Sequence, residues 1–248
     1  MDNGNTYGVI VQVRLSSTRL PGKVLMDVEG KPMLQRQAER LRAGIGDLPI
    51  LIATSDDPSD DAIVRFCNEQ GLVCFRGPLH DVMLRFILCA REHGLTHLVR
   101  VGGDDPLIDP ECCLELVRRH RVEPADFLYA SNREGWPYGC AAELIAREAL
   151  ERIHAATDKP FYLEHTIPYF FDHLGEFTIR KVRSPTGLCR PELAFTVDHT
   201  EDMELVRSVF RELREEGEFF PLERVIRLMD EKPALRAINA HLHEGFDR

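Results

Sequence analysis

The 248-residue chain contains no apolar run approaching the ~20 residues that span a bilayer. Its first residues, Met-Asp-Asn-Gly-Asn-Thr, carry neither a basic stretch nor a hydrophobic segment, so no signal peptide is expected. Positive charge is scarce: 31 Lys and Arg stand against 41 Asp and Glu, a net charge of −10 that argues against general nucleic-acid binding. The seven cysteines (67, 74, 89, 112, 113, 140 and 189) are odd in number and form no C-x-x-C pair. They read as buried small hydrophobes in a reducing cytoplasm. A Walker G-x-x-x-x-G-K-[ST] motif is missing, because Gly22-Lys23 is preceded by Ser17 at the required glycine position and followed by Val24. There is also no G-x-G-x-x-G in the first turn, and no internal repeat, low-complexity tract or clean interdomain linker.

What the chain does have is concentrated at residues 8–25. A β-branched run (Val9, Ile10, Val11, Val13) ends in a loop with three cations, Arg14, Arg19 and Lys23, and three hydroxyls, Ser16, Ser17 and Thr18. Buried first strands of α/β domains look like this, and ligands bind in the loop that follows such a strand. Lysine offers a point charge, arginine grips two oxygens, and backbone amides complete a cradle for a polyphosphate. A solvated surface loop is the alternative, although local basicity in an acidic chain favours a small anionic ligand.

Across the first ~130 residues, strand-like pieces (7–13, 49–54, 72–75, 97–101, 126–130) alternate with helix-like ones (33–43, 59–68, 79–93, 110–119). That rhythm predicts an α/β fold: a mostly parallel, open, Rossmann-like sheet with helices on both faces. Asp109 is placed to cap the helix at 110, with Pro110 and Glu111 in its first turn. Beyond 132 the pattern predicts strands at 141–145, 177–182 and 192–197. Helices are expected at 147–155, 161–171, from 200, at 222–230 and at 233–242. In the helix from 200, Met203, Val206, Phe210 and Leu213 face the core. The simplest organisation is one domain over 1–248 with a small inserted α+β subregion at 133–192.

Two aspartate-bearing segments follow predicted strands. Gly102-Gly103-Asp104-Asp105-Pro106 follows the strand at 97–101, and Asp198-His199-Thr200-Glu201-Asp202 follows Phe195-Thr196-Val197. Strand carboxyl ends are where open α/β sheets collect ligands. One or two carboxylates plus phosphate oxygens suit Mg²⁺, so Asp104 and Asp198 are candidate metal ligands. The glycines would allow a substrate to approach the backbone closely. Taken singly, the same aspartates also suit turns or the start of the next helix, with Glu201 and Asp202 complementing its dipole.

The segment from Gln12 to Leu25 resembles the N-terminal signature of SpsF-type cytidylyltransferases, R-x-x-S-T-R-L-P-G-K. These are relatives of the enzymes that load CMP onto 3-deoxy-manno-octulosonate and acylneuraminate. Gly-Gly-Asp-Asp-Pro-Leu-Ile-Asp-Pro resembles the family's G-D-x-P-L-I-D-P, and Thr-Val-Asp-His-Thr-Glu-Asp its T-V-D-T-x-E-D. The stretch from 222 to 240 resembles the family tail, so the likeness spans nearly the whole chain. It implies a nucleotide-diphospho-sugar transferase-like fold and a nucleotide site formed by Gln12, Arg14, Ser16, Ser17, Thr18, Arg19, Lys23 and Gly103. It also implies Mg²⁺ between Asp104 and Asp198, with Arg14, Lys23 and the two aspartates carrying the chemistry.

The likeness thins where the acceptor would sit. Pro137-Tyr138-Gly139-Cys140-Ala141-Ala142-Glu143 corresponds to a family segment close to Y-P-R-G-L-D-V-E, so Tyr138 and Ala141 replace an Arg and an Asp while Glu143 is kept. Leu163-Glu164-His165-Thr166 stands where R-E-H-V is usual, and Ser16 where Gly is usual. Asn132, Tyr138, Glu143 and His165 are the candidate acceptor contacts, and His165 equally suits a structural histidine beside an aromatic helix. Trp136 and Tyr138 suit either a stacking lid or packing of the inserted region. Arg180, Lys181, Arg183 and Arg190, around the loop at 184–189, suit an acidic acceptor or a solvated edge.

The expected activity is Mg²⁺-dependent transfer of CMP from CTP to a small acidic acceptor, with pyrophosphate leaving, in surface polysaccharide or glycoconjugate precursor synthesis. The protein is expected in the cytoplasm, with neither nucleic acid nor membrane as partner. A homodimer through 133–192 is expected from the relatives. Two other readings stay open on the sequence. One is a metal-dependent glycosyltransferase using a finished nucleotide-sugar, against which the Lys23 loop counts. The other is a non-catalytic nucleotide-binding protein, motivated by the lost acceptor charges.

Overall fold

Alternation places Val9 and Val11 on one side of a strand and Ile10 on the other, and all three are fully buried. In the computed structural model, which describes residues 4–217 and 219–243, this run is β1 (Tyr7–Gln12). The ends of the 1–248 span and Glu218 lie outside the described residues. A short hairpin, β2 (Asp27–Val28) and β3 (Lys31–Pro32), comes next. The regular rhythm then runs through α1 (Met33–Gly44), β4 (Ile50–Ser55), α2 (Asp61–Glu69), β5 (Val73–Gly77), α3 (Val82–Glu92), β6 (His97–Gly102), α4 (Pro110–Val122) and β7 (Phe127–Tyr129). The second half supplies β8 (Glu143–Ala146), α5 (Arg147–Ala156), α6 (Pro160–Glu164), α7 (Thr166–Asp172) and β9 (Ile179–Lys181). It closes with α8 (Thr200–Leu213), α9 (Leu222–Glu231) and α10 (Pro233–Arg236).

One seven-stranded sheet has the order β5-β4-β1-β6-β8-β7-β9. Only β8 runs against the others, pairing antiparallel with both β6 and β7. The segment 133–192 therefore contributes two strands, β8 and β9, to the main sheet. Helices cover both faces. Val9, Val11, Val99 and Leu144 pack with α1, α4, α8 and α9, while Ile10, Leu98, Phe127 and Ile145 pack with α3, α5 and α7. The chain leaves β1 for β4 on one side and reaches β6 on the other. A crevice thus opens at the carboxyl ends of β1 and β6, the place where such sheets bind ligands.

Several local expectations are corrected. The helix expected over 161–171 breaks at His165 (φ −112°, ψ 87°) into α6 and α7. Pro168 has no N–H to donate to the Glu164 carbonyl, so one continuous helix is disfavoured there. The strand expected at 192–197 reduces to one bridge between Tyr138 and Ala194. Helix α3 starts at Val82 rather than 79 because the Asp81 carboxylate accepts from the Leu84 N–H (2.8 Å). The helix expected over 233–242 stops at Arg236, and Ala240–Leu242 forms a separate 3₁₀ turn. The cap on α4 is as expected, with Asp109 accepting from the Glu111 N–H. All seven cysteines are free, and five are buried; Cys74 is half-buried, and Cys189 is exposed, contrary to expectation. Trp136 packs in the core and donates to the Val182 carbonyl (3.0 Å), so the packing alternative holds and no stacking lid is available from it. Among the described residues no helix is long and apolar enough to cross a membrane.

Far from the crevice, His97 on β6 packs against His120 on α4, ring centroids 4.2 Å apart, and the Tyr7 hydroxyl meets His120 Nδ1 at 3.0 Å. Burial, with His120 and Arg147 nearby, pushes the His97 pKa down to about 4. The unfolded chain takes this proton near pH 6.5 and the folded chain refuses it, so stability falls as pH drops from 6.5 towards 4. The loss at this one site is about 3 kcal/mol. Urea midpoints at pH 7.5 and 4.5 are expected to differ accordingly, and His97→Phe to flatten the difference.

Candidate active site

The loop after β1 is tied down from below. The backbone N–H of Leu15 donates to Asp60 Oδ1 (2.8 Å), and the N–H groups of Ser17 and Gly22 both donate to the Leu15 carbonyl (2.8 and 3.0 Å). Gly22 sits at φ +72°, a left-handed conformation that glycine adopts without cost, and it turns the chain into the short helical turn that starts at Lys23. Lys23 is thereby buried, and its ammonium points back to the crevice.

The two aspartates are brought together by their backbones. The Val197 N–H donates to the Asp104 carbonyl (2.8 Å), which joins the end of β6 to the approach to α8. From α1, the Gln37 side chain donates to the carbonyls of Gly102 (2.6 Å) and Asp105 (2.9 Å) and fixes the turn between them. Gly103 lies against β1: a Cβ there would fall 2.3 Å from the Val13 side chain and 2.8 Å from the Gln12 carbonyl oxygen. The start of α8 is capped by Asp202, not by Asp198. Asp202 Oδ2 accepts from the N–H groups of Asp198 (3.0 Å) and His199 (2.8 Å). Burial alone would raise the Asp202 pKa, but donors from His243, Asn239 and those two amides hold it at about 2. Asp198 is therefore free of capping duty and turns its carboxylate into the crevice.

There the charges interlock. Lys23 Nζ donates to Asp104 Oδ2 (2.9 Å), Asp198 Oδ1 (2.9 Å) and the Val197 carbonyl (2.6 Å). Arg19 pairs with the other oxygen of Asp198 (2.8 Å), and Arg14 reaches Glu164 on α6 (3.1 Å). Burial works to lower the Lys23 pKa, but Asp104 and Asp198 outweigh it and the group stays a cation, its pKa above the usual lysine value. Burial and the adjacent Asp104 push the Asp105 carboxyl well above the ordinary carboxylate range. Three oxygens thus already converge on one positive charge. The donor set is all oxygen, which suits a hard divalent cation. Among the described residues no three His, Cys, Asp or Glu gather as a ready-made metal cage, so two carboxylates would need phosphate oxygens or water to complete a shell.

A cavity of about 200 Å³ opens here. Of the residues expected around a nucleotide, Gln12, Arg14, Ser17, Thr18, Arg19, Lys23 and Gly103 line it together with Asp104 and Asp198, whereas Ser16 points to solvent and does not. Arg100 also lines it and was not anticipated; it pairs with Glu143 (3.1 Å) and approaches the Gln12 side chain (3.5 Å).

A family model described as cytidylyltransferase matches residues 8–230. The chain belongs to the cytidylyltransferase family. This cytidylyltransferase is 29% identical over 231 residues to the spore coat polysaccharide biosynthesis protein SpsF of Bacillus subtilis, covering 90% of the chain and 94% of that protein. It is 36% identical over 110 residues to the 3-deoxy-manno-octulosonate cytidylyltransferase of Aeromonas salmonicida, 42% of each. Among solved structures, a cytidylyltransferase from Leptospira borgpetersenii superposes with a TM-score of 0.88 at 23% identity, over 94% of this chain and 97% of that one. A CMP:2-keto-3-deoxy-manno-octonic acid synthetase complexed with CTP gives 0.63 at 19% identity, over 84% and 99%. These two likenesses confirm the fold.

On the acceptor side the expected residues divide. Burial first, and then the charges of Asp105, Asp198 and Asp104, push the Tyr138 hydroxyl up to about 12, although Tyr138 does not line the cavity. Glu143 reaches the cavity only through Arg100. Asn132 opens a 3₁₀ turn and His165 is exposed at the break between α6 and α7, its ring 5.2 Å from Phe161; neither lines the cavity. Of the four basic residues near 184–189, Arg190 is taken by Glu192 and Asp230, and Arg180 by Glu123. Arg180, Lys181 and Arg183 line a separate groove along edge strand β9.

Proposed function

We propose that this cytidylyltransferase transfers CMP from CTP to a small acidic acceptor, such as a sugar acid, in making a surface polysaccharide or glycoconjugate precursor. The observation that carries this reading is the meeting of Arg14, Arg19 and Lys23 with Asp104 and Asp198 in one crevice. The names of the relatives, a polysaccharide biosynthesis protein and sugar-acid cytidylyltransferases, support the acceptor class. Arg14, Arg19 and Lys23 hold the triphosphate. Asp104 and Asp198 hold Mg²⁺, which when bound neutralises phosphate charge and eases the departure of pyrophosphate. An acceptor oxygen attacks the α-phosphorus; the new P–O bond forms as the bond to pyrophosphate breaks. The protein's part is alignment and charge placement. An attacking oxygen that is itself ionised needs no base; a hydroxyl must give up its proton to solvent as the new bond forms. Tyr138, near enough to feel the aspartates' charges, and Glu143, through Arg100, are the acceptor-side contacts this reading favours, followed by Asn132 and His165.

The test is thermal stabilisation by ATP, CTP, GTP and UTP, each with and without Mg²⁺, and by UDP- and CDP-sugars. At 100 times its Kd a ligand adds about 2.7 kcal/mol of stability. Selective, metal-dependent stabilisation by CTP is the expected result. Equal response to all four, or response only to nucleotide-sugars, would overturn it.

A further inference from the structure

We infer that Lys23 is the resident cation of the metal site, exchanged for the divalent ion only when nucleotide phosphates arrive to receive it. The inference rests on the metal-dependent reading above and adds a specific role for one side chain.

An ammonium has three donors and no acceptor. All three donors of Lys23 are spent, on Asp104, Asp198 and the Val197 carbonyl. Asp198 is equally committed, one oxygen to Lys23 and the other to Arg19. The remaining loop cation, Arg14, is neutralised by Glu164. Each positive group expected to meet a triphosphate is thus paired with a carboxylate, and both carboxylates expected to meet a metal are paired with a cation.

This arrangement penalises either ligand alone. A bare divalent ion must displace an ammonium held at 2.9 Å from each carboxylate, or share the site with it. Two cations held against the same pair of carboxylates in a partly buried site repel strongly. A bare triphosphate that draws Lys23 away leaves Asp104 and Asp198 unpaired beside further negative charge. When both arrive together the partners are traded: carboxylates to the metal, Lys23 and Arg19 to phosphate oxygens. Lys23, Arg19, Asp104 and Asp198 each exchange one partner of opposite charge for another. Lys23 acts here as a positioning residue, keeping the two aspartates convergent while no metal is present.

The test is Mn²⁺ binding to the full-length protein, read from the electron paramagnetic resonance of free Mn²⁺, with no nucleotide present. Lys23→Met is expected to bind bare Mn²⁺ about tenfold tighter than wild type, reversing the usual loss on mutating a site residue. Arg19→Gln is expected to gain a few-fold. Arg19 is 56% exposed, so this second variant carries the test even if Lys23→Met fails to fold. Wild type is expected to tighten its hold on Mn²⁺ when CTP is added, after correction for Mn²⁺ bound to CTP itself. If wild type takes up Mn²⁺ with CTP but neither variant binds the bare ion more tightly, the resident-cation role is overturned. If wild type takes up no Mn²⁺ even with CTP, the metal assignment falls, and this inference with it.

Discussion

Asp198→Asn is expected to lower kcat/KM about a thousandfold, equivalent to about 4 kcal/mol of transition-state stabilisation, with little change in melting temperature. The separation of these two effects follows from the geometry. The Asp198 side chain makes no helix cap; that duty falls to Asp202, which accepts from the N–H groups of 198 and 199. Replacing the carboxylate by a carboxamide therefore leaves α8 anchored. It removes a full negative charge from the point where Lys23, Arg19 and the proposed metal converge. Lys23 keeps Asp104 and the Val197 carbonyl as partners, so the loop is not released. The measurement is pyrophosphate release from CTP, using whichever sugar acid supports turnover in wild type, alongside a melting curve. Were Asp198 merely part of the start of α8, the variant would melt earlier and turn over normally, and that outcome would sink the assignment.

The physical origin of each feature decides how much of it was legible in the sequence. β1, β4 and β6 were readable because strands buried on both faces are short, largely apolar runs, of which Val9 to Val13 is the richest in β-branched residues. The site's cations and aspartates were readable because they stand in the loops such strands must feed. Short elements were not. The β2–β3 hairpin holds only two residues per strand, too few to show alternation. The 192–197 run is apolar because Leu193, Phe195 and Val197 pack into the core, and burial without pairing partners leaves the same trace as a strand. The supports of the site were invisible for a different reason. Gln37 and Asp60 are polar residues on or beside helices, and sequence alone assigns such residues to the solvated face. Both are completely buried, and what they hold is backbone far away in the chain. Glu164 offered a partial signal, since it lies in the family-like Leu163-Glu164-His165-Thr166, but its pairing with Arg14 spans 150 positions and has no local signature.

Asp60 leads to the second large effect. Its carboxylate accepts from the Leu15 N–H (2.8 Å) through Oδ1, and through Oδ2 from the Ser55 N–H (3.2 Å) and the Ser55 hydroxyl. It thereby ties the root of the loop after β1 to the end of β4, inside the fold and without solvent contact. Asp60→Ala would strand the buried N–H and hydroxyl of Ser55 and the half-buried N–H of Leu15, and each unpaired buried group costs about 1–3 kcal/mol. Partial relaxation brings the expected loss of folding stability to about 3 kcal/mol. The functional consequence is separate. Without the Leu15 anchor, the turn made by the N–H groups of Ser17 and Gly22 on the Leu15 carbonyl loses its fixed base, and the entry to Lys23 moves with it. Affinity for CTP with Mg²⁺ is expected to fall about tenfold or more, because binding must then supply the ordering that Asp60 provides in advance. A urea titration reads the first effect, and CTP titration well below the melting temperature reads the second. Loss of stability with unchanged CTP affinity would show that the loop is ordered by its own contacts, and that Asp60 serves β4 alone.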